Sequence, residues 1–274
     1  VPENLSSLRE LPDGLLTELK ELALSVAVGA AQVLTQYSTS VLSDVRTKSS
    51  PTDLVSEADR ASETYITSAL RQARPDDSIL AEEGTRHEGN SGLRWVADPL
   101  DGTTNYFFGI PAYSVSLAAQ WHGKTVVGVV VDPSRQETWT AAIGHGAQCN
   151  GKPCRVASGR STVPTALVAT GFSYRPERRA VQASVLAELL PVVRDIRRFG
   201  SAAIDLCWVA TGRFDAYYES WLSDWDWAAG QLICQEAGGS VGMVNGRTLV
   251  ASTPEIHDAL SAALADAEKK AGLS

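Results

Sequence analysis

Residues 95–106 read Trp95-Val96-Ala97-Asp98-Pro99-Leu100-Asp101-Gly102-Thr103-Thr104-Asn105-Tyr106. The run 95–97 is apolar and suited to a buried strand. Pro99 bars regular continuation of that strand, and Gly102 permits another backbone to approach closely. Two aspartates therefore stand where a strand leaves its sheet, beside tryptophan and valine, and uncompensated carboxylates are costly there. Asp98, Asp101 and the Leu100 carbonyl are hard oxygen donors of the kind magnesium and calcium take. A helix opening at this point would aim the N–H groups of Gly102, Thr103 and Thr104 at a bound phosphate.

Upstream, apolar residues from Leu15 through Leu19, Leu22, Ala23, Val26, Ala30, Val33, Leu34 and Tyr37 recur every three or four positions, the stripe of a long amphipathic helix. A second helix is expected from about Ser56, with Glu57 and Asp59 at its positive end, stopped by Arg74-Pro75-Asp76-Asp77. Strands are expected at 78–81, 95–97, 113–120, 125–131 and 137–142, with a hairpin turn at His122-Gly123-Lys124 and another turn at Asn150-Gly151. The second half alternates: strand 166–169, helix 177–190, strand 195–199, helix 202–211, strand 214–219, helix 226–237 and a last helix opening at Thr253-Pro254. Helices sandwiching sheets follow from that order. The 274 residues read as one α/β (α+β) domain with a soft division near residue 160.

Acidic residues outnumber basic ones by 32 to 24, a formal charge of −8, which argues against direct nucleic-acid or anionic-lipid binding. No apolar run approaches the roughly 18 residues of a membrane span, and the expected location is the cytoplasm. The four cysteines show no C-x-x-C spacing and read as reduced, packed thiols. Residues 146–152 begin like a phosphate-binding loop, but Pro153 stands where Ser or Thr would be required, so the Asn150-Gly151 turn is preferred. Gly171-Phe172-Ser173 lacks the second glycine of a nucleophile elbow. Of Trp221, Trp225 and Trp227, at least two are expected to serve packing.

Three acidic clusters remain: Glu82-Glu83-Gly84, the Asp98–Asp101 turn, and Trp225-Asp226-Trp227. A solvated loop accounts well for Glu83 and leaves Glu82 open; it accounts poorly for Asp98 and Asp101. Cation and phosphate meeting at one turn is what metal-assisted phosphoryl transfer requires. The exposed stretch 86–92, rich in Gly, Asn and Ser, is expected to be a mobile flap.

The 95–106 string, with Trp225-Asp226-Trp-Ala-Ala229-Gly230, the Glu82-Glu83 pair, Lys48-Ser-Ser-Pro51-Thr-Asp53-Leu-Val, and Gly200-Ser-Ala-Ala203 through Asp215-Ala-Tyr-Tyr-Glu219, resembles the inositol monophosphatase family of lithium-sensitive, magnesium-dependent phosphatases. The likeness spans about 48–239. It implies the layered α-β-α-β-α sandwich shared with fructose-1,6-bisphosphatase, a homodimer, and hydrolysis of a small phosphate ester without a covalent intermediate. It implies two or three Mg2+ ions. Glu82, Asp98 and the Leu100 carbonyl would hold the first; Asp98, Asp101 and Asp226 the second; a third would lean on Glu82. Glu82 and Thr103 would position the attacking water, with Asp59 hydrogen-bonded to the Thr103 hydroxyl. Asp101, Gly102, Thr103, Thr104, Ser201 and Ala202 would meet phosphate and ring hydroxyls, and Glu219 the ring. Phe172 and Asp205 depart from the family pattern. Some bacterial members act with the transcription machinery, which gives a binding role as the reading from another class.

Overall fold

The computed structural model describes residues 11, 12, 14–41, 57–159 and 161–273. The expected stripe forms helix α1, Leu15–Val41, burying Leu19, Ala23, Val26, Ala30 and Leu34. Helix α2, Glu57–Ala73, buries Ile66 and Leu70 together with four polar residues, Asp59, Ser62, Glu63 and Thr67. Burial of so many polar groups on one helix face marks it as more than a packing element.

Strands β1 (Ser78–Ala81), β2 (Arg86–His87), β3 (Leu93–Asp101), β4 (Ser114–Trp121), β5 (Lys124–Asp132), β6 (Glu137–Ala142), β7 (Ala147–Cys149) and β8 (Lys152–Pro153) form one sheet in the order β2-β1-β3-β4-β5-β6-β7-β8. Helix α3, Thr103–Phe107, separates β3 from β4. The second sheet has the order β10-β9-β11-β13-β12, from β9 (Leu167–Thr170), β10 (Asp195–Arg197), β11 (Ala216–Ser220), β12 (Ser240–Val244) and β13 (Thr248–Ser252). Helices α4 (Pro176–Leu189), α5 (Ala202–Ala210), α6 (Asp224–Glu236) and α7 (Pro254–Lys270) complete the chain.

Three apolar cores set the layering. One lies between α1, α2 and the first sheet, one around α5 and α6 between the two sheets, and one between the second sheet and α4 with α7. The result is the α-β-α-β-α sandwich expected. No described helix is long and apolar enough to cross a membrane. Cys207 and Cys234 are buried on α5 and α6, and all four cysteines are free thiols.

β3 and the last hairpin differ from expectation. β3 runs nine residues, through Pro99 to Asp101, because a register shift absorbs the missing N–H: Asp98 faces Ser116 and Asp101 faces Ser114. The β12–β13 hairpin was not foreseen, although Asn245-Gly246 turns it with φ of 49° and 67°, the same device as Asn150-Gly151 with 49° and 75°.

Candidate active site

The bulge in β3 turns the Asp98–Asp101 segment into a rigid knot. The Leu100 N–H donates to Asp98 Oδ1 at 3.0 Å, the Thr103 hydroxyl to the Leu100 carbonyl at 3.0 Å, and the buried Ser62 hydroxyl of α2 to the Pro99 carbonyl at 2.9 Å. Gly102 then takes φ 93°, and a Cβ there would lie 2.8 Å from the Ala112 carbonyl oxygen. Only glycine suits both the left-handed backbone and that approach. Helix α3 starts at the next residue, as the phosphate-site reading requires.

Other elements bring further acids to this knot. Asp101 Oδ2 accepts from the Ser201 hydroxyl at 2.6 Å and from the Ala203 N–H at 2.8 Å, so the start of α5 is fastened to the end of β3. Ser201 is also the N-cap of α5. Asp226 sits in the first turn of α6, which starts two residues earlier than expected, and accepts from the Ser223 N–H at 2.6 Å in a capping box. Glu82 follows β1, its N–H on the Ala97 carbonyl at 3.3 Å. The Glu63 carboxylate of α2 grips that loop through the Glu83 N–H at 2.8 Å and the Thr85 hydroxyl at 2.6 Å.

Crowding these acids perturbs them all in one direction. Burial, then Glu82, Asp101, Asp226 and Asp59, hold Asp98 well above the usual carboxylate range. Burial and the neighbouring Asp101 push Asp226 up to about 8. Burial, then Glu83 and Glu82, push Asp59 to about 8. Glu82 keeps an exposed flank at the mouth, yet withdrawal of its carboxyl group from water raises it to about 7. Asp101 reaches only about 6, since its Ser201 and Ala203 donors oppose burial. Among the described residues none of Glu82, Asp98, Asp101 and Asp226 forms an ion pair. Arg94, the nearest base in sequence, is turned to Gln120 and Asp224 instead. Arg198 lies close enough to lower Asp101 and Glu219 but forms no ion pair with any of the four acids among the described residues, and acids crowded in this way, all offering hard oxygen, fit a divalent metal. No three of them close on a common point among the described residues; Asp98, Asp101 and Asp226 each accept from a backbone or hydroxyl donor instead.

Glu219 ends the second-sheet side of the site. It lies beyond the Tyr218–Thr170 pair of the parallel strands β11 and β9, and a Cβ on Gly171 would fall 1.8 Å from its Oε2. The Tyr217 hydroxyl donates to Glu219 Oε2 at 2.8 Å, while burial raises the carboxyl to about 7. Asp205, 1% exposed on α5, has an Oδ1 without a hydrogen-bond donor and is raised by burial and by Glu219.

The sequence-derived residues Glu82, Asp98, Leu100, Asp101, Thr103 and Asp226 thus belong to one neighbourhood. The Asp59–Thr103 bond differs from expectation: the single hydroxyl proton of Thr103 goes to the Leu100 carbonyl. The stretch 86–92, expected to be a mobile flap, is exposed yet hydrogen-bonded into the fold. The Gly89 N–H binds the Ser78 hydroxyl, the Asn90 and Ser91 N–H groups bind the Asp76 carbonyl, and Arg86–His87 is a strand. The motif Lys48 to Val55 lies outside the described residues. Sequence reading missed Ser62 and Glu63, whose signal was their place one turn beyond Asp59 on the same helix face. Two cavities of about 430 and 350 Å³ flank β8, lined by Cys154 and Arg155, away from these acids; chemistry, not volume, marks the site.

The model of the inositol monophosphatase family matches residues 15–271. The inositol-1-monophosphatase of Mycobacterium leprae is 47% identical over 235 residues, covering 80% of this chain and 81% of its own. The Nus factor SuhB of Pasteurella multocida is 43% identical over 82% of this chain and 88% of its own. The solved structure of Mycobacterium tuberculosis SuhB superposes with a TM-score of 0.81 at 40% identity, covering 94% of this chain and 98% of that one. Fold, acid cluster and these likenesses agree: the chain belongs to the inositol monophosphatase family.

Proposed function

We propose that this protein is a magnesium-dependent phosphomonoesterase that hydrolyses inositol monophosphate, or a related polyol phosphate, to the alcohol and inorganic phosphate. The observation that carries the reading is a set of acids from the loop after β1, from β3 and from α6, gathered without an ion pair among the described residues. Glu82, Asp98 and the Leu100 carbonyl would hold a first Mg2+, Asp98, Asp101 and Asp226 a second, and Glu82 would support a third. Bound there, the ions would supply Lewis-acid charge that neutralises the phosphoryl oxygens and acidifies a water.

The chain's own groups do the positioning. Glu82 accepts a hydrogen bond from the attacking water, and the Thr103 hydroxyl oxygen receives another. Asp59 is assigned to orient Thr103, which requires that hydroxyl to leave the Leu100 carbonyl. The N–H groups of Gly102, Thr103 and Thr104 face the phosphate. Ser201 and Ala202 hold the α5 side, and Glu219 accepts vicinal hydroxyls of the ring. An adjoining homodimer subunit belongs to the same reading and would show as twice the chain mass in solution.

The test is phosphate release by the purified protein, with Mg2+ and with a chelator, on inositol 1-phosphate, fructose 1,6-bisphosphate, histidinol phosphate and a nucleotide 3′-phosphate. Metal-dependent turnover led by inositol 1-phosphate supports the reading; the other three esters stand for the alternatives on this fold. Absence of turnover on every ester overturns it. That outcome would favour a binding role with the transcription machinery, in keeping with relatives named Nus factor SuhB.

A further inference from the structure

Trp221, two residues past Glu219, adopts φ 65°. The other described non-glycine residues with positive φ are His122, Gln136, Asn150 and Asn245, each in a turn between adjacent strands. Trp221 instead lies in the β11–α6 connection, and a left-handed backbone is sterically costly for so bulky a residue. Trp225 and Trp227 pack against the central core, as expected of two tryptophans in three, and leave Trp221 to be explained. Over its ring, 5.2 Å from the centroid, lies the guanidinium of Arg178 from the first turn of α4. Arg178 has no ion-pair partner among the described residues.

The place of this pair in the fold is specific. β9 and β11 are parallel; the connection leaving the C-terminal end of β9 leads into the first turn of α4, which carries Arg178, and the connection leaving β11 carries Trp221. In α/β sheets that end is where ligands bind. Tyr174, in the same β9–α4 connection, reaches the Thr104 side chain, which brings this rim to the phosphate loop. An indole face holds a guanidinium flat and leaves its in-plane N–H groups free for a bidentate oxyanion. Arg198 already faces Asp101 and Glu219 inside the cleft; Arg178, a second cation without an acid partner among the described residues and set further out on this rim, would offset repulsion that a doubly anionic ligand meets on a chain of net charge −8.

We propose that the Arg178–Trp221 pair is the specificity-determining element for the leaving alcohol, and that it recognises a second phosphate group carried by that alcohol. The inference rests on the phosphatase reading and extends its substrate class from polyol monophosphates to esters whose alcohol bears a second phosphate.

A matched pair of esters tests it: fructose 1-phosphate and fructose 1,6-bisphosphate, compared by kcat/KM in the full chain with Mg2+. The wild type should favour the bisphosphate by about tenfold, carried mostly by KM. Arg178→Gln should bring that ratio close to one. Trp221→Gly, whose glycine suits φ 65°, should do the same while melting at or above the wild-type temperature, which separates lost recognition from lost folding. A wild-type ratio of one or less, or a ratio unchanged in both variants, overturns the proposal. Inositol 1-phosphate is run alongside. If it is hydrolysed while the ratio is flat, only this inference fails; if no ester is turned over, the phosphatase reading fails and takes this one with it.

Discussion

Two sets of buried carboxylates in this molecule are equally hidden and differently served. Asp77, Asp132 and Glu268 are each at most 1% exposed, and each is surrounded by donors. Asp77 receives the Trp95 indole N–H at 2.9 Å, the Ser91 hydroxyl at 2.7 Å and the Arg74 guanidinium. Asp132 receives two backbone N–H groups and Arg135 at 2.8 Å. Glu268 receives Asn245 at 2.7 Å and the Thr248 hydroxyl. Asp98 is as buried as these at 1%, but beyond one N–H its charged neighbours are other acids. The first set fastens elements together. The second is held in a state that protons or an external cation relieve.

The largest effect expected from this contrast is on turnover. Asp98→Asn or Asp226→Asn should lower kcat by about a thousandfold or more in a phosphate-release assay, because each removes charge where the metal must bind and changes little volume. Stability should move the opposite way between the sets. Asp132→Asn should cost about 1–3 kcal/mol in urea unfolding by stripping Arg135 of its partner, whereas metal-free Asp98→Asn should be no less stable than wild type. Equal destabilisation by both would break the comparison.

Metal and pH should interact next. Asp226 and Asp59, raised from 3.8 to about 8, bind more protons folded than unfolded, so the metal-free protein loses stability as pH rises from near 4 through about 8. A cation replaces those protons. Saturating Mg2+ should therefore raise Tm more at pH 8 than at pH 5.5, by up to about 2–4 kcal/mol of added stability at 100 to 1,000 times Kd. A larger shift at the acidic pH would contradict the assignment. The smallest expected effect is at the rim. Gly171→Ala places a methyl where Glu219 Oε2 now lies, and should raise KM for a polyol ester several-fold with kcat nearly kept.

Most of this architecture is legible in local patterns. Helical stripes and turn dipeptides placed α1, the β4–β5 hairpin and the Asn150-Gly151 turn, because each depends on residues close in sequence. The β12–β13 hairpin escaped although Asn245-Gly246 announced it, since β12 is half-exposed and lacks a strong apolar run. The stretch 86–92 has a loop's composition, yet its backbone is tied to Asp76 and Ser78, partners its composition does not reveal. For the site, Asp98 and Asp101 stood out because they follow an apolar strand, whereas the supporting Ser62 and Glu63 look like ordinary helix-surface residues until α2 is laid against β3. The joining of Glu82, Asp98 and Asp226 is a property of the layers, reached in sequence only through family resemblance.

The most direct test is calorimetric titration of the metal-free protein with Mg2+ at pH 7.5, with Asp98→Asn titrated beside it. At least two ions should bind per chain with release of protons, and the variant should lose at least one. Absence of binding by the wild type, or an identical isotherm for the variant, would contradict the account.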